Sequence, residues 1–289
     1  MPELPEVEVV ARGLRQDLVG DRVRDVEVRW ARTVATPSVD EFRRQLPGCS
    51  VTDVSRRAKF VVVTLSPRYL LVHLRMSGRL LLGGPDDRLA DHRHARVIFE
   101  LVSGRTLCLL DMRKFGRMYL VDDPEQIVGD LGPEPLDDAF TPETLAELLH
   151  GRRRQIKAAL LDQRVVAGLG NIYVDEALWQ AHIHPLQRAS DLTFNQMVAL
   201  HGAIRRVLLC AIANKGTTFR DYRTPRNEAG QNLPALSVYG RAGESCLRCG
   251  REIVRAVMAG RGTHYCPYCQ TLPEAGDASA PDVDPLAAS

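Results

Sequence analysis

Gln163-Arg-Val-Val-Ala-Gly-Leu-Gly-Asn-Ile-Tyr-Val-Asp-Glu176 reads as the end of one helix, a glycine turn and a second helix opening at Asn171. Gly168 and Gly170 permit a close backbone approach, and a helix start capped by Asn171 would offer N–H groups to a phosphate. An ordinary glycine-rich connection between structural helices fits the same residues, and both readings stand at this point. Outward from this turn, helical spacing covers 142–149, 155–161, 172–181 and 194–213, the last with Thr193 and Gln196 as a capping box and Gly216 past its end. On the N-terminal side, Leu131-Gly-Pro-Glu-Pro135 breaks regular structure and suits an interdomain linker. Before it, short β-branched and leucine-rich runs at 23–30, 60–65, 69–74, 96–101, 106–110 and 118–121 alternate with turn signals such as Ser66-Pro67 and Ser103-Gly104. They predict an antiparallel sandwich or flattened barrel behind an N-terminal helix.

The C-terminal third carries two further signals. From Thr217 to Pro234, polar and turn-forming residues dominate, a length of loop that is either functional or disordered. Four of the seven cysteines then form Cys246-Leu-Arg-Cys249 and Cys266-Pro-Tyr-Cys269, sixteen residues apart. Two such knuckles supply the four thiolates of a tetrahedral structural zinc, whereas a redox pair needs only one. Cys49, Cys108 and Cys210 stand alone in apolar surroundings and are expected to be buried free thiols. After the last knuckle the Ala, Pro and Asp-rich segment 273–289 is expected to be a disordered tail.

Composition narrows the class. The 289-residue chain has ordinary apolar content, no signal-like start and no apolar run approaching the roughly 20 residues of a membrane span, so a cytosolic protein is expected. Its formal charge of +2 hides an asymmetry: Glu274, Asp277, Asp282 and Asp284 lie in a tail without Lys or Arg, leaving the body at about +6. Arg56-Arg57 and Arg152-Arg153-Arg154 concentrate that charge, which makes a polyanionic partner plausible.

Met1-Pro-Glu-Leu-Pro-Glu-Val-Glu8 opens the chain. Removal of Met1 would expose Pro2 as a secondary amine with a pKa near 8, nucleophilic in part at neutral pH and able to form an iminium with a sugar carbon. Glu3 adjoins it, and Glu6 lies one helical turn on, so a proton donor and an orienting carboxylate are at hand. The same residues also make a plain helix start, with Pro5 in the first turn, acidic groups at the positive dipole end and Gly20 past the other end.

Seven segments together resemble the formamidopyrimidine-DNA glycosylase family over essentially everything up to about Gln270. They are Pro2-Glu-Leu-Pro-Glu-Val-Glu8, Arg57-Ala-Lys-Phe60, His73-Leu-Arg-Met-Ser-Gly78, Asp111-Met-Arg-Lys-Phe-Gly116, Gly168-Leu-Gly-Asn-Ile-Tyr173, Val238-Tyr-Gly240 and the four-cysteine finger. The resemblance implies an α+β multidomain fold: an N-terminal helix plus antiparallel β-sandwich (1–132), a helix-two-turns-helix domain with a lesion loop (133–237) and a zinc finger (238–272). It implies base excision repair of oxidised purines, 8-oxoguanine and formamidopyrimidines, in double-stranded DNA by a bifunctional glycosylase and AP lyase. One structural zinc ion held by Cys246, Cys249, Cys266 and Cys269, a monomer, no membrane and a nucleoid-associated cytoplasmic location go with it. Carried residue by residue, Pro2 would attack C1′, Glu3 would donate a proton and Glu6 would support it. Lys59 would serve β-elimination, and Arg261 δ-elimination and phosphate binding. A base must be turned out of the stack before C1′ is reached, so an apolar wedge and a hydrogen-bonding arginine are needed. Met76, Arg113 and Phe115 match the inserting residues, and His92, Arg153 and Asn171 match backbone contacts that carry no base information.

Residue chemistry alone reads several of these positions otherwise: Lys59 as a solvated strand-edge charge, Arg261 as a hairpin-tip charge, Met76 and Phe115 as core. Arg75 stands where the family often has glycine, Asp111-Met112 where Asp-Pro is common, and 225–232 departs from the family's loop that closes over the flipped base. The sister enzyme endonuclease VIII, which prefers oxidised pyrimidines, typically begins Pro-Glu-Gly-Pro-Glu, and Leu4 argues against it. A catalytically silent zinc-containing DNA-binding protein would have no need of Pro2, Glu3, Lys59 and Arg261 together, and a scaffolding role is weaker still.

Overall fold

The computed structural model describes residues 1–272. The expected tail 273–289 lies outside them. The first unit runs α1 (Leu4–Leu18), β1 (Val23–Val28), β2 (Val34–Thr36), α2 (Val39–Gln45), β3 (Ser50–Arg57), β4 (Phe60–Ser66), β5 (Tyr69–His73), β6 (Gly78–Gly83), β7 (Ala95–Leu101), β8 (Thr106–Asp111) and β9 (Arg117–Val121). Two sheets form, a four-stranded one ordered β1-β7-β8-β6 and a five-stranded one ordered β2-β9-β5-β4-β3. All pairings are antiparallel except the short β2–β9 pair. Alternate residues of facing strands, Val97, Phe99 and Leu109 against Val61, Val63 and Val72, fill the space between them. The sandwich expected from the leucine-rich runs is therefore present.

A short helix α3 (Glu125–Val128) packs on the five-stranded sheet, and the second unit contains α4 (Pro142–Leu149), α5 (Ile156–Leu160), α6 (Asn171–Gln180) and α7 (Phe194–Ala213), followed by the hairpin β10 (Val254–Met258) and β11 (Arg261–Tyr265). Helix α7 starts at the Thr193–Gln196 capping box, as its sequence predicts. It is long and apolar enough, at mean hydropathy 1.4, to cross a membrane by length and composition, against the expectation that no segment comes close. Its buried residues Met197, Leu200, Ala203, Ile204, Val207, Leu208 and Ala211 recur at helical spacing, however, and make one stripe against the helical core.

Helix α1 joins the two units. Val7, Val10, Leu14 and Leu18 sit in the sandwich core, while Leu4 is packed in the helical core beside Leu169 and Tyr173. Gly168 adopts φ +84° under Leu4, and a Cβ there would lie 2.7 Å from Leu4 Cδ1. The backbone N–H of Leu4 donates to Gly168 O at 3.1 Å. The first turn of the chain is thus clamped by the Gly168–Gly170 turn.

Two expectations change, and a third narrows. The Arg56-Arg57 pair is no open cationic patch: Arg56 binds Glu8 at 2.8 Å and Glu134 at 2.6 Å, and Arg57 binds Glu134 at 2.9 Å. Glu134 belongs to the proline-rich linker, so its charge stitches that linker to the β3–β4 turn. Cys49 and Cys108 are buried, but Cys210 is exposed, because it falls on the outer face of α7. The loop from Thr217 to Pro234 is tied down along its length: Thr218 Oγ1 accepts from Gly230 N at 2.9 Å, and Pro225 O accepts from Leu82 N at 3.1 Å. Arg226 forms a forked pair with Asp17 of α1, its Nη2 at 3.1 and 3.0 Å from the two oxygens.

Candidate active site

Pro2 and Glu3 are buried at the start of α1. Glu3 is the N-cap, and its N–H donates to Glu6 Oε2 at 2.8 Å, closing a capping box across the first turn. Its carboxylate reaches across the interdomain seam and accepts from the N–H groups of Ile172, at 3.0 Å, and Tyr173, at 3.4 Å. These belong to the first turn of α6, where the helix dipole favours an anion. The cap of α6 is therefore Gly170 and not Asn171, and its free N–H groups are taken by a carboxylate of the same chain instead of a phosphate. Gly170 is required here, since a Cβ would lie 2.2 Å from Glu3 Cδ.

Burial raises the Glu3 pKa, opposed by the charge of Lys59 and the two amides. Glu6 is pushed up to about 7, first by burial and then by the charge of Glu3, against the donors around it. Those donors are Tyr173 Oη at 2.5 Å and Thr217 N at 2.8 Å, both on Oε1. Tyr173 and Thr217 also share a hydrogen bond at 2.9 Å. Two carboxyl groups one turn apart, both displaced towards their acid forms, suit proton donation.

Lys59 is buried at 7% exposure and donates to Leu169 O at 2.6 Å, so it is not a strand-edge charge. It follows Ala58, which takes φ +52° in the tight β3–β4 turn and donates its N–H to Glu134 Oε1. Burial lowers the Lys59 pKa, Glu3 opposes this, and Arg261 adds to it. The finger hairpin is held against the same first turn of α6 by a hydrogen bond at Gly262, and by Lys157 at Thr263. Arg261 itself is exposed at the first position of β11, behind the Ala259–Gly260 turn. Lys157, fully buried, fixes this hairpin by bonding Asp175 of α6 at 2.6 Å and Thr263 Oγ1 at 2.8 Å. Asp175 Oδ2 accepts from His264 N at 2.9 Å, and Asn171 Nδ2 donates to Gly262 O at 2.8 Å.

The structure brings Pro2, Glu3, Glu6 and Lys59 to one seam with Asn171, which opens α6 and binds Gly262 O beside Arg261, and sets Met76, His92, Arg113, Phe115 and Arg153 apart from it. Met76 is 40% and Phe115 46% exposed, unlike core residues. Both project from loops shaped by Asp111, which accepts from Ser77 Oγ at 2.5 Å, Arg113 N at 3.2 Å and Gly116 N at 2.7 Å. The Arg113 guanidinium lies 4.9 Å from the Phe115 ring centroid. Arg153 is exposed. His92 is half-buried, its Nδ1 accepting from His94 N at 3.1 Å. Tyr173, Thr217, Lys157, Asp175 and Asp111 were not singled out from sequence as site residues, though four of the five lie within or beside the quoted motifs; only contacts far apart in the chain reveal what they hold.

The four cysteine Sγ atoms of 246, 249, 266 and 269 lie within 4.8 Å of one another, with 3.9 Å between Cys246 and Cys269 and 3.5 Å between Cys249 and Cys266. A tetrahedron with Zn–S bonds of about 2.3 Å has edges of about 3.8 Å, so the set fits one structural zinc ion with no open position.

Comparison with known proteins agrees with this arrangement. Residues 1–118 match the formamidopyrimidine-DNA glycosylase N-terminal domain, 131–223 its H2TH domain, and 243–272 the zinc finger found in FPG and IleRS. Formamidopyrimidine-DNA glycosylase of Symbiobacterium thermophilum is 47% identical over 95% of this chain and 90% of its own. Among solved structures, a Lactococcus lactis FPG mutant complexed with Fapy-dG containing DNA superposes with a TM-score of 0.87 at 36% identity, covering 93% of this chain and all of that one. The Lactococcus lactis Fpg complex with abasic-site DNA gives 0.86 at 36% identity, covering 93% and 99%. With the sandwich, the H2TH helices and the four-cysteine finger in the same order, the chain belongs to the formamidopyrimidine-DNA glycosylase family.

Proposed function

We propose that this protein is a DNA glycosylase and AP lyase of base excision repair that removes oxidised purines through its N-terminal proline. The observation that carries the reading is the buried Glu3 carboxyl, fixed beside Pro2 on the first turn of α6 and balanced by Lys59. A purely structural helix start would gain nothing from burying two carboxyls and a lysine at one seam, because each costs desolvation energy. Relatives named for formamidopyrimidine excision, and one crystallised on abasic-site DNA, support the same reading.

Met1 is 44% exposed and accessible to an aminopeptidase. While it remains, the Pro2 nitrogen is an amide without a nucleophilic lone pair. Once it is removed, the amine attacks C1′ of an extruded nucleotide; the N–C1′ bond forms as the bond to the base breaks, and the base departs with the electron pair and a proton. The adduct loses its N–H proton, and C1′–O4′ opens as O4′ takes a proton from Glu3, leaving an iminium. Loss of a C2′ proton then expels the 3′ phosphate, with Lys59 beside the seam, and a second elimination at the 5′ side is assigned to Arg261. Met76, Arg113 and Phe115 would fill the gap in the duplex, with His92, Arg153 and Asn171 on the backbone. The four cysteines would hold zinc as a fold determinant, keeping Arg261 in place.

Borohydride trapping tests this directly, using protein that begins at Pro2 and a duplex with 8-oxoguanine opposite cytosine, beside a dihydrothymine duplex. A covalent adduct favouring 8-oxoguanine is expected, with none from protein retaining Met1. An adduct from the Met1 form would remove Pro2 from the mechanism, and a dihydrothymine preference would move the reading to the endonuclease VIII side.

A further inference from the structure

Three guanidiniums and two imidazoles gather behind the inserting loops: Arg79 on β6, and His92, Arg93, His94 and Arg96 where the chain enters β7. Among the described residues, no carboxylate accepts a hydrogen bond from any of them. Acids on the neighbouring elements are engaged elsewhere, Asp91 with Arg88 at 3.5 Å, Glu27 with Arg29 at 2.7 Å, and Asp111 with Ser77, Arg113 and Gly116. Arg79 Nε is buried without any partner. Unpaired charge gathered at one place stores repulsion that an anion would relieve.

The histidines decide which groups are free to receive that anion. His92 Nδ1 accepts from His94 N at 3.1 Å, so a neutral His92 carries its proton on Nε2 and presents a donor. His94 faces Arg93 Nε with Nε2 at 3.1 Å and Arg96 Nη2 with Nδ1 at 3.3 Å. A neutral imidazole has one ring lone pair, and an imidazolium has none, so both guanidiniums cannot be satisfied together. Arg96 is held by a second bond, Nε to Asp111 O at 2.8 Å, whereas the exposed Arg93 has no other partner among the described residues. Arg93 is thus the cation with least to lose by turning towards a ligand.

Asp111 places the cluster. Its N–H donates to His94 O at 2.9 Å, while its carboxylate shapes the loops that carry Arg113 and Phe115. We propose that Arg93, flanked by His92 and Arg79, forms a DNA phosphate-binding point beside the step entered by Met76, Arg113 and Phe115. The ligand is a backbone phosphodiester, read by charge and without regard to base. This inference rests on the DNA-repair reading, and it adds Arg93 and Arg79 to the grip.

The test is the salt dependence of affinity, measured by fluorescence anisotropy on an undamaged duplex and on one with an abasic-site analogue. Each phosphate neutralised contributes about 0.9 to the slope of log K against log salt. R93Q is expected to lower the slope by about 1 on both duplexes, and R93K to restore it. R88Q, which removes an exposed arginine already paired with Asp91, should leave the slope unchanged. An unaltered slope in R93Q, or an equal fall in R88Q, overturns the proposal while leaving the glycosylase reading intact. Wild-type protein with no salt-dependent affinity for either duplex would sink both.

Discussion

At the scale of single residues, the Glu6 carboxyl is the most informative group, because its surroundings pull in opposite directions. Three donors, Glu3 N, Tyr173 Oη and Thr217 N, favour its anion, while complete burial and the neighbouring Glu3 charge favour its acid, and the second influence prevails to give about 7. An unfolded glutamate titrates near 4.5, so the folded state holds the proton more tightly. Stability from this group is complete below about 4.5 and is lost as pH rises through about 7. Chemical unfolding should therefore show wild type losing on the order of 2–3 kcal/mol between pH 5 and 8 relative to E6Q, whose amide does not titrate. E6Q itself should be less stable than wild type at pH 5, by about 1–3 kcal/mol, because its amide nitrogen cannot accept from one of the three donors. Parallel pH profiles for the two proteins would show that Glu6 is ionised throughout.

At the scale of elements, α6 does most of the positioning. Its first turn holds Glu3, Asp175 holds the finger hairpin through Lys157 and His264 N, and Glu176 accepts from the N–H groups of Ser237, Val238 and Tyr239 at 2.8–2.9 Å. The Lys157–Asp175 pair is inaccessible on both sides, where removing one partner leaves an uncompensated buried charge. K157M is expected to cost about 3–5 kcal/mol by urea unfolding, and K157M combined with D175L less than K157M alone. A single-variant cost below about 1 kcal/mol would mean that water or another group replaces the partner. Much of this element was legible in sequence: the glycine turn and the helix behind it follow from local rules, as do the start of α1 and the capping box of α7. The partners were not, because Lys157 and Thr263, or Glu3 and Ile172, are joined only by the tertiary fold. Three sandwich strands also escaped, the first of them β2, which is only three residues long. In β3 a bulge between Val51 and Asp53 puts the buried Val51 and Val54 three apart, which breaks the period of two, and β6 is framed by glycines that read as turns. Helix α2 left a usable signal, the Ser38–Glu41 capping box, in a segment otherwise too short to declare itself.

At the scale of the whole molecule, the candidate catalytic groups come from three pieces of chain that meet only when all are folded: Pro2, Glu3 and Glu6 from α1, Lys59 from the sandwich, and Arg261 from the finger. The first two pieces rest on large cores, but the finger's own apolar cluster is Trp179, Val238, Cys246, Ile253 and Cys266, with Cys269 partly buried against it. Half of those six residues are zinc ligands, so removing the metal leaves three thiols that would otherwise be tied together inside a very small core. The sandwich and helical clusters contain no residue of the finger hairpin and should survive its collapse. Chelation, or C249S, is therefore expected to change Trp179 fluorescence and to weaken DNA affinity, while far-UV circular dichroism stays close to wild type. Trapping on 8-oxoguanine duplex should fall with affinity, and it should recover in part at high DNA concentration, since Pro2, Glu3 and Lys59 remain assembled without Arg261. Complete loss of helical signal on chelation would show instead that α6 depends on the finger as much as the finger depends on α6, and that the Lys157–Asp175 network cannot stand once its hairpin has gone.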